Sequence, residues 1–313
     1  MQYRQLGQTG MKVSELCFGT LPMGPRQKNL DVDTCVRIMR RAFNGGVNFI
    51  DTAQLYETYW IIKEAIKGYD TKNLVIATKS AATTYNGMKE AIEEAREELD
   101  LKHINIFLLH AAKGTVHVFE ERAEAIRCLL EAKIRGKIGA VGIATHSVEV
   151  VKKAATLKDI DVVFPLLNLE GMGIIGGGPE DMKAAIAQAA SAGKGIYLMK
   201  TLAGGNLIRK YREAMDFARS VPGVASIAVG MISEQEVDYN IQYFSGKFPG
   251  EVQSSSKKFL IVQSLCLGDG ACVDACINQA ISLENGKAKI NSEKCLLCGY
   301  CTKVCPQFAI RMV

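Results

Sequence analysis

Residues 104–144 read INIFLLHAAKGTVHVFEERAEAIRCLLEAKIRGKIGAVGIA. Ile104–His110 and Ile138–Ala144 are short runs of apolar residues without the alternation of a half-exposed strand. Parallel strands buried on both faces look like this. Between them Phe119, Ala123, Ile126 and Leu130 recur at helical spacing and predict one apolar stripe. Two parallel strands need such a crossover, and a helix is its usual form.

The same rhythm extends in both directions. Leu16–Gly19, Val47–Asp51 and Leu74–Thr78 precede the segment, and Asp161–Pro165, Gly195–Met199 and Ala225–Val229 follow it. Met88, Ile92, Ala95 and Leu99 mark another helix stripe. Eight strand–helix units in about 230 residues predict an α/β fold, a (β/α)8 TIM barrel. The alternative, a doubly wound open sheet, lacks its GxGxxG after the first strand. Gly7 and Gly10 suggest an N-terminal hairpin closing the barrel bottom.

The chain has 313 residues, room for a barrel and one small domain. Its 38 Lys and Arg against 33 Asp and Glu give +5, spread without a basic stripe, so no nucleic-acid partner is expected. No apolar run approaches the roughly 18–20 residues of a membrane span. The start, MQYRQLGQTG, has no apolar signal core. A cytoplasmic protein without membrane contact is the expectation. After Ser245, the stretch SGKFPGEVQSSSKK loses all periodicity. The expected division is a barrel over 1–245, a linker over 246–258 and a small α+β domain over 259–313, with a hairpin around Asn285-Gly286.

Seven of the ten cysteines crowd into residues 266–305, which in a reducing compartment reads as metal ligation. Cys295, Cys298, Cys301 and Cys305-Pro306 form C-x2-C-x2-C-x3-C-P, a bacterial iron–sulfur run. An earlier run, Cys266, Asp269, Cys272 and Cys276, has Asp269 where a second cysteine would stand and Ile277 in place of the proline. Each run is followed by an Ala-Ile pair, Ala280-Ile281 and Ala309-Ile310. The segment resembles two-cluster bacterial ferredoxins. That resemblance implies one 4Fe–4S cluster on Cys276, Cys295, Cys298 and Cys301. It implies a second on Cys266, Cys272 and Cys305, with Asp269 at the fourth corner. Carboxylate is a harder ligand than thiolate. The second centre is therefore a cube with an Asp ligand, a 3Fe–4S cluster or a cube with a labile corner. Two clusters imply one-electron transfer and an electron-transfer partner protein. The competing expectation is a metal-stapled domain without redox work.

Polar residues also gather where the strands end. Asp51 closes one strand and Tyr56 follows five residues later. Lys79 follows VIAT, and His110 follows IFLL. Catalytic groups of a (β/α)8 barrel sit at that end. A phenol acts as a proton donor to a carbonyl more readily if an ammonium lowers its pKa, so Lys79 is expected to tune Tyr56, with Asp51 holding Lys79 and His110 orienting the carbonyl. Through NFIDTAQLY, VIATKS, LLH, RGKIGAVGIATHS and SIAVGMISEQEVDYNI, residues 1–245 resemble the aldo-keto reductase family. The resemblance implies an oxidoreductase that reduces a small-molecule aldehyde or ketone, or the reverse, with NADP(H) or NAD(H). It implies a tetrad of Asp51, Tyr56, Lys79 and His110, with Tyr56 as general acid.

The implied cofactor positions depart from the family pattern. Thr145 and His146 stand where a Ser-Asn pair would hold the nicotinamide amide. Asn168 lies near an absent Gln, and Met199 replaces a stacking aromatic. Lys200, Leu202 and Gly204 carry the pyrophosphate loop. Gly230, Ser233, Glu236 and Asn240 occupy phosphate and adenine positions, and Ile232 stands where a basic residue would grip a 2′-phosphate. Two alternatives follow: a non-enzymatic electron-transfer or assembly subunit with a decayed nicotinamide pocket, and a carbonyl reductase whose clusters are only structural.

Overall fold

The computed structural model describes residues 1–247, 250, 258–307 and 309–312, so most of the expected 246–258 linker lies outside the described residues. An antiparallel hairpin, β1 (Tyr3–Gln5) and β2 (Lys12–Ser14), comes first. Eight parallel strands then close into a barrel: β3 (Leu16–Gly19), β4 (Phe49–Asp51), β5 (Val75–Ser80), β6 (Ile104–Ala111), β7 (Ile138–Thr145), β8 (Val162–Pro165), β9 (Gly195–Leu198) and β10 (Val224–Gly230). The seam is β10 against β3, with Ile227 opposite Leu16. All eight expected strands are present, each within two residues at either end. Their composition explains this, since nearly every strand residue is buried, as double-faced packing requires.

Inside the barrel Phe164 stacks on Tyr197 at 3.8 Å and Phe49 tilts against Tyr197 at 4.8 Å. Rings buried in this way contribute on the order of 1.5–3 kcal/mol each. Leu6 and Val13, carried by the N-terminal hairpin, join this inner layer and close the bottom. Gly195 makes room for the plug, because a Cβ there would come within 2.7 Å of the Leu6 side chain.

The helix stripe Met88, Ile92, Ala95, Leu99 is buried on helix Tyr85–Leu99. The stripe expected from Phe119, Ala123, Ile126 and Leu130 is corrected. The segment forms two helices, Val118–Glu121 and Ala123–Ile134, and the second buries Ala125, Cys128, Leu129 and Ala132 while Ala123 is exposed. Arg122 breaks the helix with φ −113° and ψ 24°, which resets the phase. Its guanidinium donates to the His110 carbonyl at 3.1 Å, fixing the break beside a strand end.

In the small domain β11 (Phe259–Ile261) pairs with β14 (Ile310–Met312), and β12 (Ile281–Glu284) with β13 (Lys287–Ile290). Asn285 and Gly286, with φ of 51° and 71°, form the expected two-residue turn. The small core consists of Phe259, Ile261, Ile281, Leu297 and Ile310 together with cysteines. The domain sits on the C-terminal end of the barrel. Leu296 is buried with Leu166, Ala203, Leu207 and Ala214. Gln27 donates to the Leu297 carbonyl at 2.7 Å and Lys113 to the Asp274 carbonyl at 3.2 Å. No helix among the described residues is long and apolar enough to cross a membrane.

Candidate active site and cluster sites

Parallel strands aim their C-terminal residues at one barrel mouth, and three expected polar residues arrive there on neighbouring strands. Asp51 ends β4, Lys79 lies near the end of β5 and His110 near the end of β6. Tyr56 closes the short 3-10 turn Gln54–Tyr56 after β4. The Lys79 ammonium donates to both Asp51 oxygens at 2.9 and 2.7 Å and to the Thr52 carbonyl at 2.7 Å. It lies 4.8 Å from the Tyr56 ring centroid, and the Tyr56 and His110 rings meet edge-on at 6.0 Å. All four residues are buried.

Burial works against both charges of the pair, raising Asp51 and lowering Lys79, while each holds the other charged. Burial likewise drives His110 well below its ordinary value, helped by Lys79 and Lys200, so its ring is neutral. The expected lowering of the Tyr56 pKa does not occur. Burial raises it well above 10, and Tyr300, Asp51 and Cys298 add to the rise. The reason is first that burial strips the phenolate of its hydration, and Arg26 is the cation that works against the rise without reversing it. Tyr56 is thus a phenol that stays protonated.

Three residues of this site were not found by sequence reasoning. Tyr197 donates its hydroxyl to Asp51 at 2.9 Å from inside the barrel. Arg26, 7% exposed, donates to the Leu55 carbonyl and lies 3.9 Å from Glu57. Tyr300, from the small domain, lies with its hydroxyl 3.1 Å from His110 Nε2. The approach of two domains that brings Tyr300 there has no local sequence signal.

The cysteines separate into two groups. Buried Cys301 and half-buried Cys295 have raised pKa values, first by burial and then by repulsion from Cys298 and Cys276. Cys272 is raised by burial and then by Asp269, Cys266 and Cys305. The couplings link the same cysteines as the ferredoxin resemblance does, although among the described residues no group of three or more Cys, His, Asp or Glu side chains is drawn close enough to hold a metal ion. Clustered thiols whose ionised forms repel one another fit a cationic iron centre, which reverses that penalty. Backbone N–H groups of Ala280, Ala309 and Ala288 donate to the sulfurs of Cys276, Cys305 and Cys266 at 3.2, 3.4 and 3.4 Å. Ala280 and Ala309 are the repeated residues of the two runs. Asp269 accepts from the Ala271 N–H at 3.1 Å and lines a cavity with Cys266, Cys272 and Cys305.

The expected dinucleotide residues are otherwise engaged. Thr145 Oγ1 accepts from the Ser147 N–H, and both ends of the Asn168 amide are bonded to Met172. His146 is buried, its pKa driven well below the ordinary value by burial and Lys200. Ser233 caps helix Glu234–Phe244 by accepting from the Glu236 N–H, and the Glu236 carboxylate accepts from the Ile232 N–H. The Glu236 carboxylate thus puts a negative charge at the start of this helix, where a phosphate would need donors. Asn240 accepts from the Tyr211 hydroxyl at 2.8 Å. Gly230 is exposed at the mouth, with Pro22 close against it. Met199 and Leu202 pack beside Leu166 and Leu296 under the small domain. Gly204 lies directly against the Leu296 backbone, and Asn206 donates to the Cys295 carbonyl at 2.7 Å. The residues do not fit a nicotinamide dinucleotide while the small domain is docked.

Residues 258–306 match the 4Fe-4S dicluster domain, which supports iron–sulfur clusters here. Among curated relatives, aldo-keto reductase YhdN of Bacillus subtilis is 28% identical over 184 residues, 54% of this chain and 54% of its own length. L-galactose dehydrogenase of Arabidopsis thaliana is 25% identical over 285 residues, 77% of this chain and 87% of its own. The chain thus spans about half of the first and most of the second. The holo form of aldo-keto reductase AKR11C1 from Bacillus halodurans shares the fold, with a TM-score of 0.65 at 24% identity over 80% of this chain and 92% of that one. Residues 15–219, more than half of the chain, match the Aldo/keto reductase family, and with the closed parallel barrel and its buried Asp–Lys pair this chain belongs to that family.

Proposed function

We propose that the chain is an oxidoreductase that reduces the carbonyl of a small molecule, or oxidises the corresponding alcohol, at the mouth of the barrel. Carbonyl to alcohol consumes two electrons and two protons: the electrons would come one at a time from a redox partner through bound clusters, the proton on oxygen comes from Tyr56 and the proton on carbon from solvent water. Tyr56, kept protonated by its burial, donates one proton to the carbonyl oxygen. Neutral His110 hydrogen-bonds that oxygen through Nε2, the atom that Tyr300 now faces. Lys79 and Asp51, fixed to each other and to Tyr197, set the electrostatics behind the phenol without changing charge. A substrate oxygen takes the place of the Tyr300 hydroxyl, so Tyr300 turns aside when substrate binds.

Family membership supports NAD(P)H as the electron source, but the residues do not fit a dinucleotide in the docked molecule, and no step is assigned to one. Cys276, Cys295, Cys298 and Cys301 would hold a 4Fe–4S cluster. Cys266, Cys272, Cys305 and Asp269 would hold a second, either a cube with a carboxylate ligand or a 3Fe–4S cluster. Bound clusters would supply one-electron transfer, fed by a redox partner protein. The observation that supports this reading is the 3.1 Å contact of Tyr300 with His110. Tyr300 lies between Cys298 and Cys301, so the cluster run meets the reacting end of the barrel.

The test is anaerobic EPR on the dithionite-reduced protein, before and after addition of a panel of aldehydes and ketones. Loss of the reduced signal with at least one carbonyl, abolished by Tyr56→Phe, is the expected result. Unchanged cluster signals alongside NAD(P)H-driven carbonyl reduction would instead establish structural clusters. A second reading, an electron-transfer or assembly subunit without its own chemistry, draws support from the covered dinucleotide loop. It would be established if no carbonyl or alcohol were turned over with either electron source.

A further inference from the structure

The loop Lys200–Asn206 is the part of the molecule whose observed contacts depart furthest from its family role. Lys200 has a left-handed backbone, φ 58°, which a non-glycine residue adopts at a cost of about 1–3 kcal/mol. Its carbonyl accepts from the Ala203 N–H at 2.7 Å, tightening the loop. At Gly204, φ 71°, an added Cβ would come 2.1 Å from the Leu296 carbonyl oxygen. Asn206 bridges the Ala203 and Cys295 carbonyls at 2.9 and 2.7 Å. The Lys200 ammonium is buried and has no hydrogen-bond partner among the described residues. Burial disfavours its charge, and the Cys298 and Cys295 side chains act the other way.

A buried ammonium without a counter-charge costs several kcal/mol. The loop carries this one on a left-handed residue and packs through Gly204 and Asn206 against the run holding Cys295 and Cys298, which with Cys276 and Cys301 make the inner set. We propose that this loop is the cradle of the cluster run rather than a dinucleotide site, and that Lys200 is a positioning residue whose positive charge faces the inner cluster and raises its reduction potential. The inference rests on the reading of the cysteines as cluster ligands. A reduced cluster carries one more negative charge than an oxidised one, and a nearby cation stabilises the reduced form more. The Lys200 charge also helps depress the pKa values of His110 and His146, so it is felt at the barrel site as well.

The experiment is an EPR-monitored redox titration of the full-length, anaerobically purified protein, comparing native, Lys200→Met and Lys200→Arg. Lys200→Met is expected to shift the inner cluster's one-electron equilibrium about tenfold toward the oxidised form, about 59 mV more negative, with the outer centre unmoved. Lys200→Arg, which keeps the charge, is expected to restore most of the shift. An unchanged potential in Lys200→Met with both clusters present would overturn the role of Lys200 and leave the proposed function standing. A native chain that assembles no inner cluster from iron and sulfide would overturn both. Equilibrium dialysis with NADPH and NADH tests the cradle independently. Binding weaker than about 1 mM is expected for the native holoprotein. Saturable binding that Lys200→Met weakens would return the loop to a dinucleotide and overturn the proposal.

Discussion

In the barrel mouth the charged atoms of Asp51 and Lys79 find partners in one another, Thr52 and Tyr197. In the small domain seven cysteines form no disulfide, and several make up the core itself. The first centre is organised by protein atoms alone and needs nothing added to stand. The second gathers thiols whose ionised forms would repel one another, in a small core where they stand among few apolar side chains. One molecule therefore joins a barrel mouth with a buried ion pair to a small cysteine-rich domain, and the two meet through Tyr300 and the Lys200–Asn206 loop.

Removing iron gives the largest expected effect and tests the contrast directly. Chelation under anaerobic conditions is expected to abolish amide protection throughout β11–β14 and leave β3–β10 protected in hydrogen exchange. Retained protection in β11–β14 would show that the small domain holds itself together as the barrel does.

Breaking the barrel's own pair comes next. Lys79→Met leaves Asp51 buried with Tyr197 and is expected to cost about 3–5 kcal/mol of barrel stability. Urea unfolding followed through Trp60, the single tryptophan, measures it. Asp51→Asn combined with Lys79→Met is expected to cost less than the sum of the single changes, because neither residue is then left as a lone charge. Additive costs would remove the claim that the site is one coupled unit.

The smallest effect is a slope with pH. His146 is buried and its folded pKa is depressed, whereas the unfolded imidazole takes a proton near pH 6.5. The unfolded state thus binds more protons below that pH, and stability falls as pH drops. The loss is at most about 1.4 kcal/mol per pH unit from this residue, with His110 acting in the same direction. His146→Gln is expected to flatten the slope between pH 6.5 and 5.5 in the same urea experiment. An equal slope in the variant would mean that His146 is protonated in the fold.

The strands were legible because a parallel sheet covered on both faces leaves continuous apolar runs, and β6 and β7 show them over seven or more residues. The helix after β6 was not, because Arg122 breaks it at a point set by a bond to His110 rather than by any Gly or Pro. Asp51, Lys79 and His110 could be paired from the sequence through their strand ends. Tyr197 could not, since its hydroxyl reaches Asp51 across the barrel from a strand 146 residues away. The direction of the Tyr56 pKa was misjudged because the sequence shows the charged residues Asp51 and Lys79 but not the burial, which dominates the shift.

Sequence by itself determined the barrel, the spacing of the cysteines and the types of residue at the strand ends. Each is written locally, in runs and intervals of a few residues, and local spacing survives whatever the distant chain does. Tertiary structure alone decided that Gly204 and Asn206 meet the backbone of Leu296 and Cys295 and that Tyr300 meets His110. Those contacts join residues about 90 to 190 positions apart, and they depend on how two separately folded surfaces fit together.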